Sequence, residues 1–274
     1  LDAVGHCVEP VETSLDPQKS WLDPAMARVD LAVVVGGDGA IRLASGAAGR
    51  SRTPIYHYPL GTENLFARAF KKKRNAGQLL EAIDRFETAD LDLGIANGRK
   101  FLIMATLGFD ADVVHALAAK RTGGISHLSY VGPILSRLAA NRPPVLTVDV
   151  DGRRMVDGEP GWLVVANSPH YALGTNPAWR ASMTDGLLDV VFFPARTSFR
   201  TICHMAGCRL GLQRRRQTRY EHGVEAHVIA EPFRLYQLDG DPPEAHADDD
   251  PTPDDASPEL FIHVRPGFVP VLLP

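Results

Sequence analysis

Apolar and polar positions change texture along this chain near residue 89. Before it, Leu31-Ala32-Val33-Val34-Val35 forms a continuous apolar run, the pattern of a strand buried in a parallel sheet. The run enters Gly36-Gly37-Asp38-Gly39, and small residues follow (Ala40, Ala44, Ser45, Gly46, Ala47, Ala48), which predict a short helix packed tightly behind the turn. A second unit repeats the arrangement. Residues 54–59 (PIYHYP) read as a strand, Leu60-Gly61-Thr62-Glu63-Asn64 as a turn, and residues 65–70 as a helix capped by Thr62 or Asn64. Leu79, Leu80, Ile83 and Phe86 give residues 78–86 helical spacing. Beyond Ala89 the pattern is short and β-like, at 91–95, 100–106, 145–150, 161–166, 188–193, 224–229, 233–238 and 260–264. Turn dipeptides such as Asn97-Gly98 and Asp151-Gly152 separate these runs, which predicts an antiparallel arrangement. Helical patterns at 126–140 and 198–212 interrupt it. The expected fold class is α/β: an α/β domain over 1–88, then a β-rich sandwich domain over 89–274. The first 28 residues offer only a short strand candidate at 4–8 and a polar, helix-like segment.

Composition narrows the classes of function. The chain has 274 residues, net charge −4, 45% hydrophobic and 23% charged residues, as an ordinary globular protein has. No basic excess points to nucleic acid as a partner, and no apolar run approaches the roughly 18 residues of a membrane span. A secretory signal is absent, and Cys7, Cys203 and Cys208 are too irregular for a disulfide framework or zinc site, so a cytoplasmic location is expected. Residues 242–259 are rich in Asp and Pro and read as a solvated loop. Lys71-Lys72-Lys73-Arg74 reads as a solvated helix end that complements the macrodipole, with contact to anionic lipid or phosphate as the alternative.

The chemistry concentrates in the two glycine turns. Two or three residues of Gly36-Gly37-Asp38-Gly39 are expected at positive φ, where the backbone can approach a ligand closely. Free N–H groups at a helix start favour anions, so strand, turn and helix together make a phosphate cradle. Asp38 inside such a cradle implies an intervening cation, Mg²⁺. The bland alternative is a loop between strand and helix. Two turns of this kind one element apart lie side by side at the C-terminal edge of a parallel sheet, where α/β proteins bind ligands.

The motifs GGDGA (36–40) and PLGTENLFAR (59–68) resemble the GGDGT and PxGTxNDFAR-like stretches of the diacylglycerol kinase catalytic domain, whose relatives include sphingosine kinases, bacterial lipid kinases and NAD kinases. Residues 101–114 (FLIMATLGFDADVV), Tyr130 in a following helix, Asn167-Ser168, Met183-Thr184-Asp185-Gly186-Leu187-Leu188-Asp189-Val190-Val191, Leu238-Asp239-Gly240-Asp241 and Val264-Arg265-Pro266-Gly267 are similar to that family in the expected order. Later NAD kinase motifs are missing, so the lipid-kinase branch is preferred. The resemblance implies an NAD kinase-like nucleotide-binding domain and a β-rich substrate domain, with the site in the cleft between them. It implies ATP held by Gly36, Gly37, Asp38, Gly39, Ala40, Ile41 and Arg42, with Gly61, Thr62 and Asn64 contributing from the second turn. Asp241 would be the general base for a lipid hydroxyl, and Asp38 the carboxylate that holds a cation. A structural Mg²⁺ would sit on the carbonyls of Ser182 and Leu187 and the carboxylate of Asp185. His57, His170 and His204 show no metal-ligand spacing, and Asp110 and Asp189 read as structural.

Several positions depart from the family pattern. Ala40 replaces a Thr, Leu43 stands where an acidic residue is usual, and Leu65 replaces the Asp of the NDF-like turn. Asp241 is one methylene shorter than the family's Glu, a reach deficit of about 1.5 Å. Ala172-Leu173-Gly174-Thr175 stands for a glycine-rich stretch. An opening strand ending in an Asn-Pro-x-x-Gly-like turn is not found, so the chain is expected to be a fragment or to lack that unit. The leading expectation is ATP-dependent phosphorylation of a diacylglycerol-like or sphingoid-like lipid at a membrane surface, with a homodimer possible. The competing one is a catalytically weak nucleotide- or lipid-binding module of the same fold, and NAD kinase is a poorer third.

Overall fold

Helix α1 (Gln18–Met26), strand β1 (Ala32–Gly36), helix α2 (Asp38–Ser51) and strand β2 (Ile55–Pro59) open the computed structural model, which describes residues 5–14, 18–119, 143–212, 217–231, 235–243 and 259–274. The chain divides into two compact units. The first takes residues up to Leu91 together with Phe268–Pro274, and the second takes the described residues from Asp92 to Gly267.

In the first unit β1 and β2 run parallel in the register Ala32↔Ile55 to Gly36↔Pro59. Val271, near the end of strand β12 (Glu259–Leu272), pairs parallel with Ile55. The small residues of α2 do what their pattern predicts: Ile41, Ala44, Ser45, Gly46, Ala47, Ala48 and Gly49 are buried. At Gly49 a Cβ would come within 2.1 Å of the Phe268 ring, so only glycine lets that ring lie flat on the helix. Helix α3 (Leu65–Ala69) follows the second turn, and helix α4 (Ala76–Arg85) covers Tyr56 and Leu272 with Leu79, Ala82 and Ile83. α4 starts earlier than its apolar spacing suggests, because the Asn75 side chain accepts the N–H groups of Gly77 and Gln78. Two expectations fail here. Residues 5–8 form no strand, since none of the described strands pairs with them. The 31–35 run is not buried on both faces either: Val35 is 58% exposed, and β2 is the described partner of β1.

The second unit contains strands β3 (Thr88–Ala96, whose first residues belong to the first unit), β4 (Arg99–Phe101), β5 (Met104–Leu107), β6 (Val145–Val150), β7 (Arg153–Ala166), β8 (Leu188–Pro194), β9 (Arg219–Gly223), β10 (Glu225–Glu231), β11 (Tyr236–Leu238) and most of β12. They form an open β-sandwich-like arrangement in which every described pairing of known register is antiparallel. β7 is the hinge of the layers: its first half pairs with β6, and its second half, from Gly161, pairs with β5 and β8. At Gly161 a Cβ would meet the Phe192 ring at 2.3 Å, so the crossing needs a glycine. Leu146, Val148, Leu163, Val165, Leu188, Val190, Phe192, Val228, Leu260 and Ile262 fill the core from alternating strand positions.

The antiparallel reading holds, with four local differences. The 100–106 run is two strands, because the N–H groups of Leu102, Ile103 and Met104 turn onto the Asp239 carboxylate. Helix α5 (Phe109–Ala118) was hidden in an apolar run; Phe109 to Val114 are all buried, which erases the one-sided period of a surface helix. β9 (RYEHG) and the polar first half of β7 lack the alternation that marks a strand. Helix α6 (Ser198–Arg209) lies where spacing predicts it. The helical pattern at 126–140 with Tyr130, and residues 244–258 of the acidic loop, lie outside the described residues.

Candidate functional site

Because Gly36 pairs with Pro59, β1 and β2 end together, and the turns that follow leave the same end of the sheet. The Leu60 N–H donates to the Gly36 carbonyl at 2.8 Å, and His57 Nε2 lies 3.0 Å from the same oxygen. The turns touch through backbone, since a Cβ on Gly61 would lie 2.7 Å from Gly37 Cα; within the first turn, one on Gly36 would lie 2.7 Å from Ala40 Cβ. Contrary to expectation, none of Gly36, Gly37, Gly39 and Gly61 has positive φ; Gly37 sits at φ −99°. Glycine is needed here for the missing Cβ and the close approach it permits, not for a left-handed backbone. No side chain caps the start of α2, where Gly37 is the capping residue. Its leading N–H groups therefore form an anion-binding end with the dipole behind them.

The candidate residues divide around this end. Gly37, Asp38, Gly39 and Ala40 form the turn and the first helical residues, with Gly39 exposed. Ile41 points into the core and offers only its backbone, while Arg42 is half-buried on the next turn. The Asp38 carboxylate is committed: Oδ2 accepts the N–H of Leu65 and Oδ1 that of Phe66, both at 2.9 Å. Asp38 thus caps α3 across 27 residues of sequence and ties the two turns together. This corrects the expected cap of α3. The cap of α3 is neither Thr62, which is exposed, nor the Asn64 side chain; Asn64 is at φ 47° and uses its amide to close the turn on Gly61. The carboxylate also has a reason to stand in the cradle without a cation beside it. A phosphate fits the uncapped start of α2.

Beneath the turns lie two buried bases. His57 is held below its usual pKa by burial, against which its Gly36 hydrogen bond and the Asp38 charge act. Lys72 is not the solvated helix end that its basic run suggests. It is 5% exposed, with Nζ 4.4 Å from the Tyr56 ring centre and within 6 Å of those of Phe66 and Phe70, and burial brings its pKa down to about 7. Lys71, Lys73 and Arg74 remain exposed.

In the second unit, the two acids of the Asp239-Gly240-Asp241 turn have different environments. Asp239, at φ 53°, is buried and accepts N–H bonds from Leu102, Ile103 and Met104 at 2.8–3.0 Å. Asp241 is half-buried, and its backbone closes the turn on Leu238 through reciprocal bonds of 2.9 and 3.0 Å. Gly240 donates its N–H to Gln237 Oε1 at 2.6 Å, while Gln237 Nε2 donates to Thr106 Oγ1 (2.8 Å) and Tyr171 Oη (3.2 Å). Both hydroxyls in turn donate to Asp110 Oδ2, at 2.5 and 2.8 Å. Burial pushes the Asp110 carboxyl up, and the two hydroxyl bonds oppose that. Sequence reasoning missed Thr106, Tyr171 and Gln237, which belong to separate elements and share no spacing.

The proposed metal turn is also in the second unit. Asp185 is exposed and accepts the Leu187 N–H at 3.1 Å, and Ser182 Oγ lies 3.2 Å from Thr184 Oγ1. Among the described residues no group of three or more His, Cys, Asp or Glu side chains converges. A Mg²⁺ here would draw on backbone carbonyls and water beside the one carboxylate, which is within the habit of that ion. The turn is pinned by Asp92, buried, whose carboxylate accepts the N–H groups of Gly186 (2.7 Å) and Gly267 (2.8 Å). Asp189 behind it accepts the Tyr220 hydroxyl at 2.6 Å, which fits its structural reading.

Comparisons with known proteins bear on the family and the fold. The chain is 32% identical over 167 residues, 59% of its length, to a "Probable lipid kinase YegS-like" of Pseudomonas aeruginosa, covering 54% of that protein. It is 26% identical over 174 residues to "Diacylglycerol kinase" of Bacillus subtilis, with 62% and 56% coverage. It spans 38% to 54% of the length of the first curated relatives it matches. The fold of a diacylglycerol kinase from Bacillus anthracis str. Sterne superposes with a TM-score of 0.66 at 15% identity, over 96% of this chain and 83% of that one. Residues 4–96 match the family model of the diacylglycerol kinase catalytic domain. Since residues 104–271 also match the YegS C-terminal NAD kinase beta sandwich-like domain, the chain belongs to the diacylglycerol kinase and YegS-like lipid kinase family.

Proposed function

We propose that this chain is the kinase part of a lipid kinase, transferring the terminal phosphoryl group of ATP to a hydroxyl of a diacylglycerol-like or sphingoid-like lipid at a membrane surface. The observation that carries the reading is the contact between the two glycine turns, which leaves the uncapped start of α2 at their junction. Phosphoryl transfer asks a protein mainly for positioning and charge neutralisation. The N–H groups at Asp38 and Gly39 would hold phosphate oxygens, and the Gly61–Asn64 turn would border them. Asp38 fixes the spacing of the two turns through Leu65 and Phe66. Mg²⁺ bound with the nucleotide would neutralise its charge. In the second unit, Asp241 would take the proton of the attacking hydroxyl, while Asp239 and Gln237 hold the turn that carries it.

One observation favours a catalytically weak binding module instead: the Asp38 carboxylate of the glycine turn is already engaged in capping. Labelled γ-phosphate transfer to a panel of diacylglycerols, sphingoid bases and NAD separates the readings. Asp241→Asn is expected to lower turnover by roughly 10²–10⁴ with nucleotide affinity intact, and Asp241→Glu to keep or raise it. Equal turnover in wild type and Asp241→Asn would place the base elsewhere. Nucleotide binding without transfer to any acceptor, in wild type and Asp241→Glu alike, would leave the binding module.

A further inference from the structure

Helix α6 is built inside out. Its buried residues are small or polar (Ser198, Thr201, Gly207, Cys208). Its solvent face carries Phe199, Cys203, Ala206 and Leu210, spaced i, i+4, i+7 and i+11, which is one stripe of an α-helix. Phe199 is 69% and Leu210 72% exposed, and Leu212, 49% exposed, follows directly. A surface helix ordinarily turns this stripe inward, and a contiguous exposed apolar strip marks an interaction surface. Its charge is equally one-sided. Between Asp189 and Glu221 the sequence has no Asp or Glu, yet it holds Arg196, Arg200, Arg209, Arg214, Arg215, Arg216 and Arg219, of which Arg219 pairs with Glu159, in a chain of net charge −4. Arg196, Arg200 and Arg209 are exposed beside the stripe. Among the described residues the partners of Arg200 and Arg209 are neutral: the Pro194 and Gly174 carbonyls and the Gln217 amide oxygen.

We propose that α6 and the Leu210–Leu212 turn are the surface by which this chain docks on an anionic lipid bilayer. The inference rests on the lipid-kinase reading in that a lipid acceptor resides in a membrane, and it adds the face that meets it. Phe199, Leu210 and Leu212 enter the boundary between headgroups and acyl chains, while Arg196, Arg200 and Arg209 stay at headgroup level and pair with lipid phosphates. A second copy of the chain fits less well, because a twofold contact through this stripe sets the arginines of one copy against those of the other.

The test is co-sedimentation of the full chain with vesicles, without nucleotide. Wild type is expected to bind vesicles of equal parts phosphatidylglycerol and phosphatidylcholine, to bind pure phosphatidylcholine far less, and to be released by salt. Phe199→Ser/Leu210→Ser should weaken binding by about tenfold or more, given the apolar area each side chain buries, and its unchanged circular dichroism would show that it folds. Arg200→Gln/Arg209→Gln should flatten the salt dependence. The proposal is overturned if wild type ignores anionic vesicles, or if the serine double variant binds them as well as wild type does. Wild-type dimerisation that the serine variant abolishes, without vesicle binding, would likewise overturn it and assign the face to a second copy. Phosphoryl transfer to a dispersed short-chain diacylglycerol tests the kinase reading separately. The serine variant should keep that activity, and vesicle binding without any transfer would sink the kinase reading alone.

Discussion

At the scale of single residues, side chains of like formal charge do opposite things a few positions apart. Asp239 gives its carboxylate to three backbone N–H groups, whereas Asp241, two residues on, closes the turn through its own backbone N–H and carbonyl. Losing a buried acceptor leaves several donors unsatisfied at ~1–3 kcal/mol each. Asp239→Ala is therefore expected to destabilise by about 3–5 kcal/mol in urea titration, and Asp241→Ala, at a half-buried position, by clearly less. Comparable losses would mean that the turn does not separate structure from chemistry in this way. Lys72 gives a pH dependence of definite sign. The unfolded chain keeps that proton up to pH 10.5, while the folded chain releases it near pH 7. Between these values the unfolded state binds more protons, so stability rises with pH, and below pH 7 the cost of the buried charge is complete. Attraction to the three rings offsets up to ~2 kcal/mol of that cost. Lys72→Met should thus stabilise by about 2–3 kcal/mol at pH 6, and its advantage should shrink towards pH 10. A pH-independent difference would mean that the ammonium escapes to water.

At the scale of elements, the coupling of α2 to α3 through Asp38 decides how rigid the phosphate end is. Asp38→Ala removes the acceptor of two N–H groups and should cost about 1–2 kcal/mol of stability, whether or not Mg²⁺ is present. Calorimetry should also show weaker nucleotide binding, because the second turn loses its tether. If the stability loss appears only with Mg²⁺, Asp38 is a metal ligand and the capping account fails. Gly61→Ala tests the contact between the turns from the other side. Its Cβ would lie 2.7 Å from Gly37 Cα, so the turns must separate, and nucleotide affinity should fall at least about tenfold. An unchanged affinity would show that the turns are not the binding element.

At the scale of the whole molecule, nucleotide and membrane should act on different parts of the chain. Nucleotide at a hundred times its dissociation constant stabilises whatever binds it by about 2.7 kcal/mol. Hydrogen exchange should show that gain as slowed amides at residues 36–42 and 60–66 of the first unit. Anionic vesicles should instead protect residues 198–212 of the second. Protection by nucleotide confined to the second unit would refute the assignment of the phosphate site.

The sequence by itself determined the succession of elements wherever local periodicity and turn chemistry agree: the paired strand–turn–helix units, the antiparallel strands with their Asn-Gly and Asp-Gly turns, and the family motifs in order. These are properties of neighbouring residues, so they are legible one window at a time. Tertiary structure decided what each polar residue is for. Asp38 was legible as a carboxylate in a glycine turn, but that it caps a helix 27 residues away depends on two strands ending in register. Lys72 was legible as one of a basic run, yet only the packing of α3 over β2 puts it among three rings. Thr106, Asp110, Tyr171 and Gln237 share a network because β5, α5 and β11 pack together, with no trace in spacing. The stripe on α6 has helical period in the sequence, and an apolar stripe ordinarily marks the buried side. Which side faces water was settled by what β8 and its neighbours left uncovered, because burial is a property of the packed layers and not of the helix that joins them.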